Sequence, residues 1–69
     1  MMMKEFLGLT WDQAVALALA KDMVVEEHEE TEYEDAWIEL TWEGLLSCGG
    51  YALQFEDGVV DYYEELGWL

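Results

Sequence analysis

The first clear pattern of polar and apolar positions begins at Thr10. Thr10, Trp11, Asp12 and Gln13 spell a capping box, in which the Thr10 hydroxyl and the Gln13 amide each satisfy a backbone N–H that the first helical turn leaves free. Leu9 and Ala14 stand where a hydrophobic staple would, and Asp12 complements the positive end of the helix dipole. Trp11, Val15, Ala18 and Leu19, with Ala14 beside them, recur at helical spacing, so this face is expected to meet the core and the helix to end near Lys21. From Met23 the pattern turns β-branched and alternating through His28, a first strand. Trp37 to Trp42 alternates cleanly, which places Ile38, Leu40 and Trp42 on one face and Trp37, Glu39 and Thr41 on the other.

Asp57-Gly58 is the strongest turn signal, because a two-residue type I′ hairpin needs positive φ at both central residues. The register that follows pairs Glu56 with Val59, Phe55 with Val60 and Leu53 with Tyr62. Tyr51, Leu53, Phe55, Val60 and Tyr62 then share the core face, with Ala52, Gln54, Asp61 and Tyr63 opposite. Between the second strand and this hairpin, Leu45, Leu46 and Cys48 precede Gly49-Gly50, a pattern that continues the strand and then turns. Residues 1–69 form one domain with no repeat or linker. The expected class is α+β: one N-terminal helix packed on a three- to four-stranded antiparallel sheet.

Charge changes the picture. Seventeen Asp and Glu stand against Lys4 and Lys21 alone, a net charge of −15. With 54% hydrophobic residues and ten aromatic side chains the chain still has the material of a folded core. Direct DNA or RNA binding is excluded, because Lys and Arg neutralising phosphates supply most of that affinity. Anionic membranes are disfavoured for the same reason, and the longest apolar run, seven residues from Ala14 to Ala20, is too short to span a bilayer. Phe6 to Ala20 imitates a signal peptide, yet Asp12 and Gln13 interrupt it and Glu5 cancels Lys4. One cysteine, Cys48, suits a reducing compartment, so a soluble cytoplasmic protein is expected.

Little in the sequence carries catalysis. His28 is the single histidine, and Glu32 stands where the zinc-protease pattern needs a second one. One Cys and one His are too few for a structural zinc site. Calcium-loop spacing and phosphate-binding Gly-rich loops are absent. Ser47, His28 and a carboxylate make a triad only on paper, and Cys48 has no neighbouring cation to activate it. The expectation is no catalytic residue, no metal and no cofactor, with His28 a solvated strand residue.

The charge run is left. Glu26, Glu27, Glu29, Glu30, Glu32, Glu34 and Asp35 fill residues 26–35, with Tyr33 inside the run and Trp37 just beyond. A second group, Asp61, Glu64 and Glu65, surrounds Tyr63. Such runs are ordinarily solvated faces. Held in extended backbone, however, same-face carboxylates recur roughly every 6.6 Å, comparable to phosphates along a nucleic-acid strand. They would steer the chain towards a basic groove, with Trp37 and Tyr63 as aromatic anchors. These thirteen residues are the candidate partner-binding set.

Size, acidity and aromatic content together resemble the small acidic inhibitors that phages direct at host defence, including anti-CRISPR and DNA-mimic anti-restriction proteins. That resemblance implies a binding protein that occludes the basic nucleic-acid site of a host-defence complex in the bacterial cytoplasm. Gly8-Leu9-Thr10 opening a helix, followed by strands and by the run Phe55 to Val60, is similar to bacterial peptidase inhibitors of the potato-inhibitor-I type, which implies protease inhibition as an alternative. A third reading is an accessory domain whose acidity serves solubility.

Overall fold

A computed structural model describes residues 3–43 and 48–66. A short 3-10 helix, Met3–Phe6, precedes helix α1, Trp11–Ala20. Four strands follow: β1 Val24–His28, β2 Trp37–Glu43, β3 Cys48–Glu56 and β4 Val59–Glu65. They form one antiparallel sheet in chain order, β1-β2-β3-β4, with α1 packed on one face, the expected α+β arrangement. Leu45 and Leu46, read above as continuing the second strand, lie outside the described residues.

The helix begins as its sequence dictates. The Thr10 hydroxyl accepts a hydrogen bond from the Gln13 N–H, and the Gln13 side chain accepts one from the Thr10 N–H at 3.0 Å. Ala14 and Ala18, four residues apart, are fully buried, and their small side chains let the helix lie close to the sheet. Trp11, Val15 and Leu17 pack beside them. Leu19, expected in the core, is 59% exposed, because it projects past the edge of the stripe that Ala14 and Ala18 define. Lys21 caps the helix, and its ammonium lies 2.9 Å from Glu5. Asp22 then takes a left-handed φ of 58°, a conformation that Asp tolerates better than most residues, and Met23 donates back to the Ala18 carbonyl and turns its side chain into the core.

The apolar periodicity did not foresee the start of the chain. Met3 and Phe6 are buried, and Gly8 (φ 84°) turns the backbone so that residues 8–10 run along the outer edge of β4. Gly8 donates to the Val60 carbonyl and Val60 to the Leu9 carbonyl, both at 2.8 Å. One end of that edge strand is thereby paired.

The hairpin turn is as expected, with φ 55° at Asp57 and 83° at Gly58. Glu56 faces Val59 and Phe55 faces Val60, but a bulge then intervenes: Leu53 faces Tyr63, and Gln54 faces Tyr62. Asp61 is the extra residue, and one extra residue exchanges the faces of everything after it. Tyr63, expected on the outer face, therefore packs against the core, and Tyr62, expected inside, is 53% exposed. Gly49 and Gly50 belong to β3, facing Trp42 and Thr41, and do not form a turn.

Ile38, Leu40, Leu53 and Val60 line the helix-covered face with Ala14, Ala18, Met3, Phe6 and Met23. Ring contacts extend this layer: Trp11 lies 4.8 Å from Phe55, and Tyr51 stacks with Trp42 at 5.4 Å and meets the Tyr63 edge at 6.0 Å. No polar or charged residue is buried among the described residues.

Candidate protein-binding face

One face of the sheet carries the helix, and among the described residues no element packs across the other. Strand alternation assigns Val24, Glu26 and His28 of β1, Trp37, Glu39 and Thr41 of β2, Gly50, Ala52 and Gln54 of β3, and Tyr62 and Glu64 of β4 to this open face. Of the two inner strands, β3 carries the smallest side chains on this face. A side chain at Gly50 would lie 3.2 Å from the Leu40 carbonyl oxygen and from the Thr41 methyl, and 3.6 Å from Leu66, so glycine there lets Thr41 and Leu66 close in. Ala52 is buried in the trough between taller neighbours. The result is a groove of about 340 Å³ lined by Trp37, Ala52, Gln54, Glu64, Leu66 and two residues of the β1–β2 loop, Glu34 and Asp35.

The loop reaches the groove through Thr31. Its hydroxyl accepts hydrogen bonds from the N–H groups of Tyr33 (3.2 Å) and Glu34 (3.1 Å), and its own N–H donates to the Glu34 carbonyl at 2.8 Å. Such a turn closes without help from the core, as a loop of charged residues must. It leaves Tyr33 90% exposed, and Glu34 and Asp35 line the same groove as Glu64. Glu29, Glu30 and Glu32 are exposed beside them.

Beside the groove, towards β1, Glu26 and Glu39 face each other directly across the strands, a like-charge pair. The His28 ring adjoins them, its Nε2 3.2 Å from Glu39 Oε1, and lies flat on the Trp37 indole with centroids 4.1 Å apart. One donor atom from each of Glu26, His28 and Glu39 falls within 4.8 Å of the others, an arrangement of the type that a divalent ion uses. Sequence spacing gave no sign of it, because Glu39 reaches the other two only through the β1–β2 register.

The structure sorts the thirteen candidate residues. Glu26, Trp37 and Glu64 are on the open face, with Glu34 and Asp35 at its groove and Glu29, Glu30, Glu32 and Tyr33 in the adjoining loop. The other four are not there. Glu27 lies on the helix side, where its carboxylate accepts a hydrogen bond from Trp11 Nε1 at 2.6 Å. Tyr63 is in the core layer, Asp61 is in the bulge, and Glu65 faces Tyr51 on the helix side. There, burial first and then the Glu65 carboxylate hold the Tyr51 hydroxyl above the ordinary phenol range. Gln54, Tyr62 and Leu66 were missed. A bulge signal at Asp61 would have found Tyr62. Trp68, an aromatic residue near the second acidic group, lies outside the described residues.

Fold and surface together define a small α+β domain with one helix-covered face and one open acidic, aromatic face. No family model matches the chain, and no curated protein or solved structure is significantly similar to it. Among the described residues no helix is long and apolar enough to cross a membrane.

Proposed function

We propose that this is a binding protein whose open sheet face and 29–35 loop dock on a Lys/Arg-lined nucleic-acid site of another protein and keep nucleic acid out. The observation that carries the reading is the meeting of the two acidic segments: Glu34 and Asp35 from the first and Glu64 from the second line one groove. Acidity that served solubility alone would need no such convergence. Nor would it need exposed aromatic side chains, Tyr33 and Tyr62, beside the carboxylates. Long-range attraction from a net charge of −15 speeds the encounter with a basic partner, and Trp37, Tyr62 and Tyr33 supply apolar contact that charge does not. Small size, extreme acidity and aromatic content favour a nucleic-acid-binding host-defence complex as the partner class.

The test is association with such a complex at rising ionic strength, with nucleic acid as competitor. Binding should weaken steeply with salt, and nucleic acid should displace the protein. Changing Glu29, Glu30, Glu32 and Glu34 together to Gln should slow association about tenfold. Salt-indifferent binding, or binding that nucleic acid does not disturb, would overturn the reading in favour of an accessory domain or a peptidase inhibitor.

A further inference from the structure

The groove on the open face has a more specific chemistry than its acidity. Its volume, about 340 Å³, is at the low end of the range for ligand sites and sufficient for one long side chain. Its floor is the Ala52 methyl, and Leu66 forms an apolar wall. Trp37 forms another wall, and its indole is held from the β1 side by the His28 ring stacked on it at a 5° interplanar angle. The rim carries three carboxylates, Glu34, Asp35 and Glu64, and the Gln54 amide. The chain's two cations do not line this groove: Lys21 pairs with Glu5 beyond the helix end, and Lys4 lies in the 3-10 helix.

Extending the binding reading above, on which it rests, we propose that this groove receives one arginine side chain of the partner. Each feature of the site matches a part of that side chain. The aliphatic stem finds Ala52 and Leu66, since long cationic side chains bury their methylenes along apolar surface while the head stays polar. The planar guanidinium finds an indole that a second ring already holds in place, which suits stacking and cation–π attraction. Its N–H groups find three carboxylates among the residues that line the groove, and paired donation to a carboxylate is the strong form of this contact. An ammonium satisfies the charge but neither the stacking nor the fork, so lysine is the weaker ligand. A neutral side chain of the same shape leaves the three carboxylates unneutralised and gains no charge attraction from them.

The experiment is an NMR titration of the whole protein with three capped tripeptides, Gly-Arg-Gly, Gly-Lys-Gly and Gly-citrulline-Gly, following the Ala52 methyl and the Trp37 indole N–H. The arginine peptide should shift both signals, bind about fivefold more tightly than the lysine peptide, and lose its effect at high salt. The citrulline peptide should leave them unmoved. Glu64→Gln and Asp35→Asn should each weaken arginine binding several-fold, and Ala52→Leu, which fills the floor, should abolish it. Glu65→Gln, on the helix side, should leave it unchanged. Thermal melts establish that each variant is folded, and should Ala52→Leu fail to fold, Trp37→Leu tests the same wall. Shifts scattered over the whole acidic surface, equal binding of arginine and citrulline, or equal loss from Glu65→Gln and Glu64→Gln would overturn the proposal. If the partner complex binds with strong salt dependence and ignores Glu64→Gln and Ala52→Leu, the groove assignment falls and the acidic-face reading stands. If arginine binds in the groove and no nucleic-acid site is ever competed for, the reverse holds.

Discussion

The His28 imidazole lies flat against the Trp37 indole, centroids 4.1 Å apart and planes 5° apart, while its Nε2 meets Glu39. This one side chain braces the groove wall and adjoins the Glu26–Glu39 like-charge pair. His28→Ala removes both effects and should lower stability by about 1 kcal/mol, the usual worth of an aromatic pair. Glu26→Gln should do the opposite. It relieves the repulsion and should raise stability by a few tenths of a kcal/mol in low salt, with the gain shrinking as salt screens the pair. Urea unfolding at two ionic strengths checks both signs. A neutral His28→Ala, or a Glu26→Gln gain that survives high salt, would contradict this account.

Tyr62 and Tyr63 exchange roles at the Asp61 bulge, and mutation separates them. Tyr63→Ala removes a ring packed beside Leu53 and Tyr51 and should destabilise by about 2 kcal/mol. Tyr62→Ser touches a half-exposed ring and should stay within about 0.5 kcal/mol. Deleting Asp61 leaves an unbroken ladder in which Tyr62 still faces Gln54 and Tyr63 still faces Leu53, so the two tyrosines should keep their separate exposures. Equal costs for the two tyrosine substitutions would argue against the bulge.

The same bulge marks the limit of what the sequence discloses. Capping at Thr10, the alternation of Trp37 to Trp42 and the Asp57-Gly58 turn each express a local rule, and each is present in the structure. Asp61 obeys no local rule: an extra residue in a ladder is visible only when both strands are. Gly49-Gly50 misled for the opposite reason, because glycine signals a turn locally, whereas here Gly50 makes room for Thr41 and Leu66 across the sheet. Of the site, the carboxylates and Trp37 were legible from composition and alternation. The groove was not, since it depends on small β3 residues lying between taller neighbours on β2 and β4.

Thr31 controls how the loop carboxylates reach the groove. Thr31→Val keeps the size and removes the hydroxyl that accepts from Tyr33 and Glu34. The fold should lose about 1 kcal/mol or less, because both hydrogen bonds are exposed and water replaces them when the hydroxyl is gone. Amide exchange at Glu34 should accelerate, and binding of a basic partner should weaken through faster dissociation. Thr31→Ser keeps the acceptor and should behave as wild type. If Ser and Val behave alike, the hydroxyl is not what orders the loop.

Tyr51 contributes to the loss of stability at alkaline pH. Its hydroxyl is held above the ordinary phenol value by burial first, then by the Glu65 carboxylate and by Tyr63. A raised folded pKa means that the folded state keeps the proton where the unfolded chain has already released it. Stability from this group is therefore intact below the unfolded value of about 10 and is lost as pH climbs through the higher folded value. Melting temperature should be insensitive to Tyr51 near neutrality and fall above about pH 10. Tyr51→Phe should make that alkaline fall shallower, whereas Tyr33→Phe, on an exposed loop, should leave it unchanged. Glu65→Gln removes one of the charges that raises the Tyr51 pKa, so its phenolate absorbance should appear at lower pH. A Tyr51 phenolate that appears below the ordinary phenol value would reverse the sign.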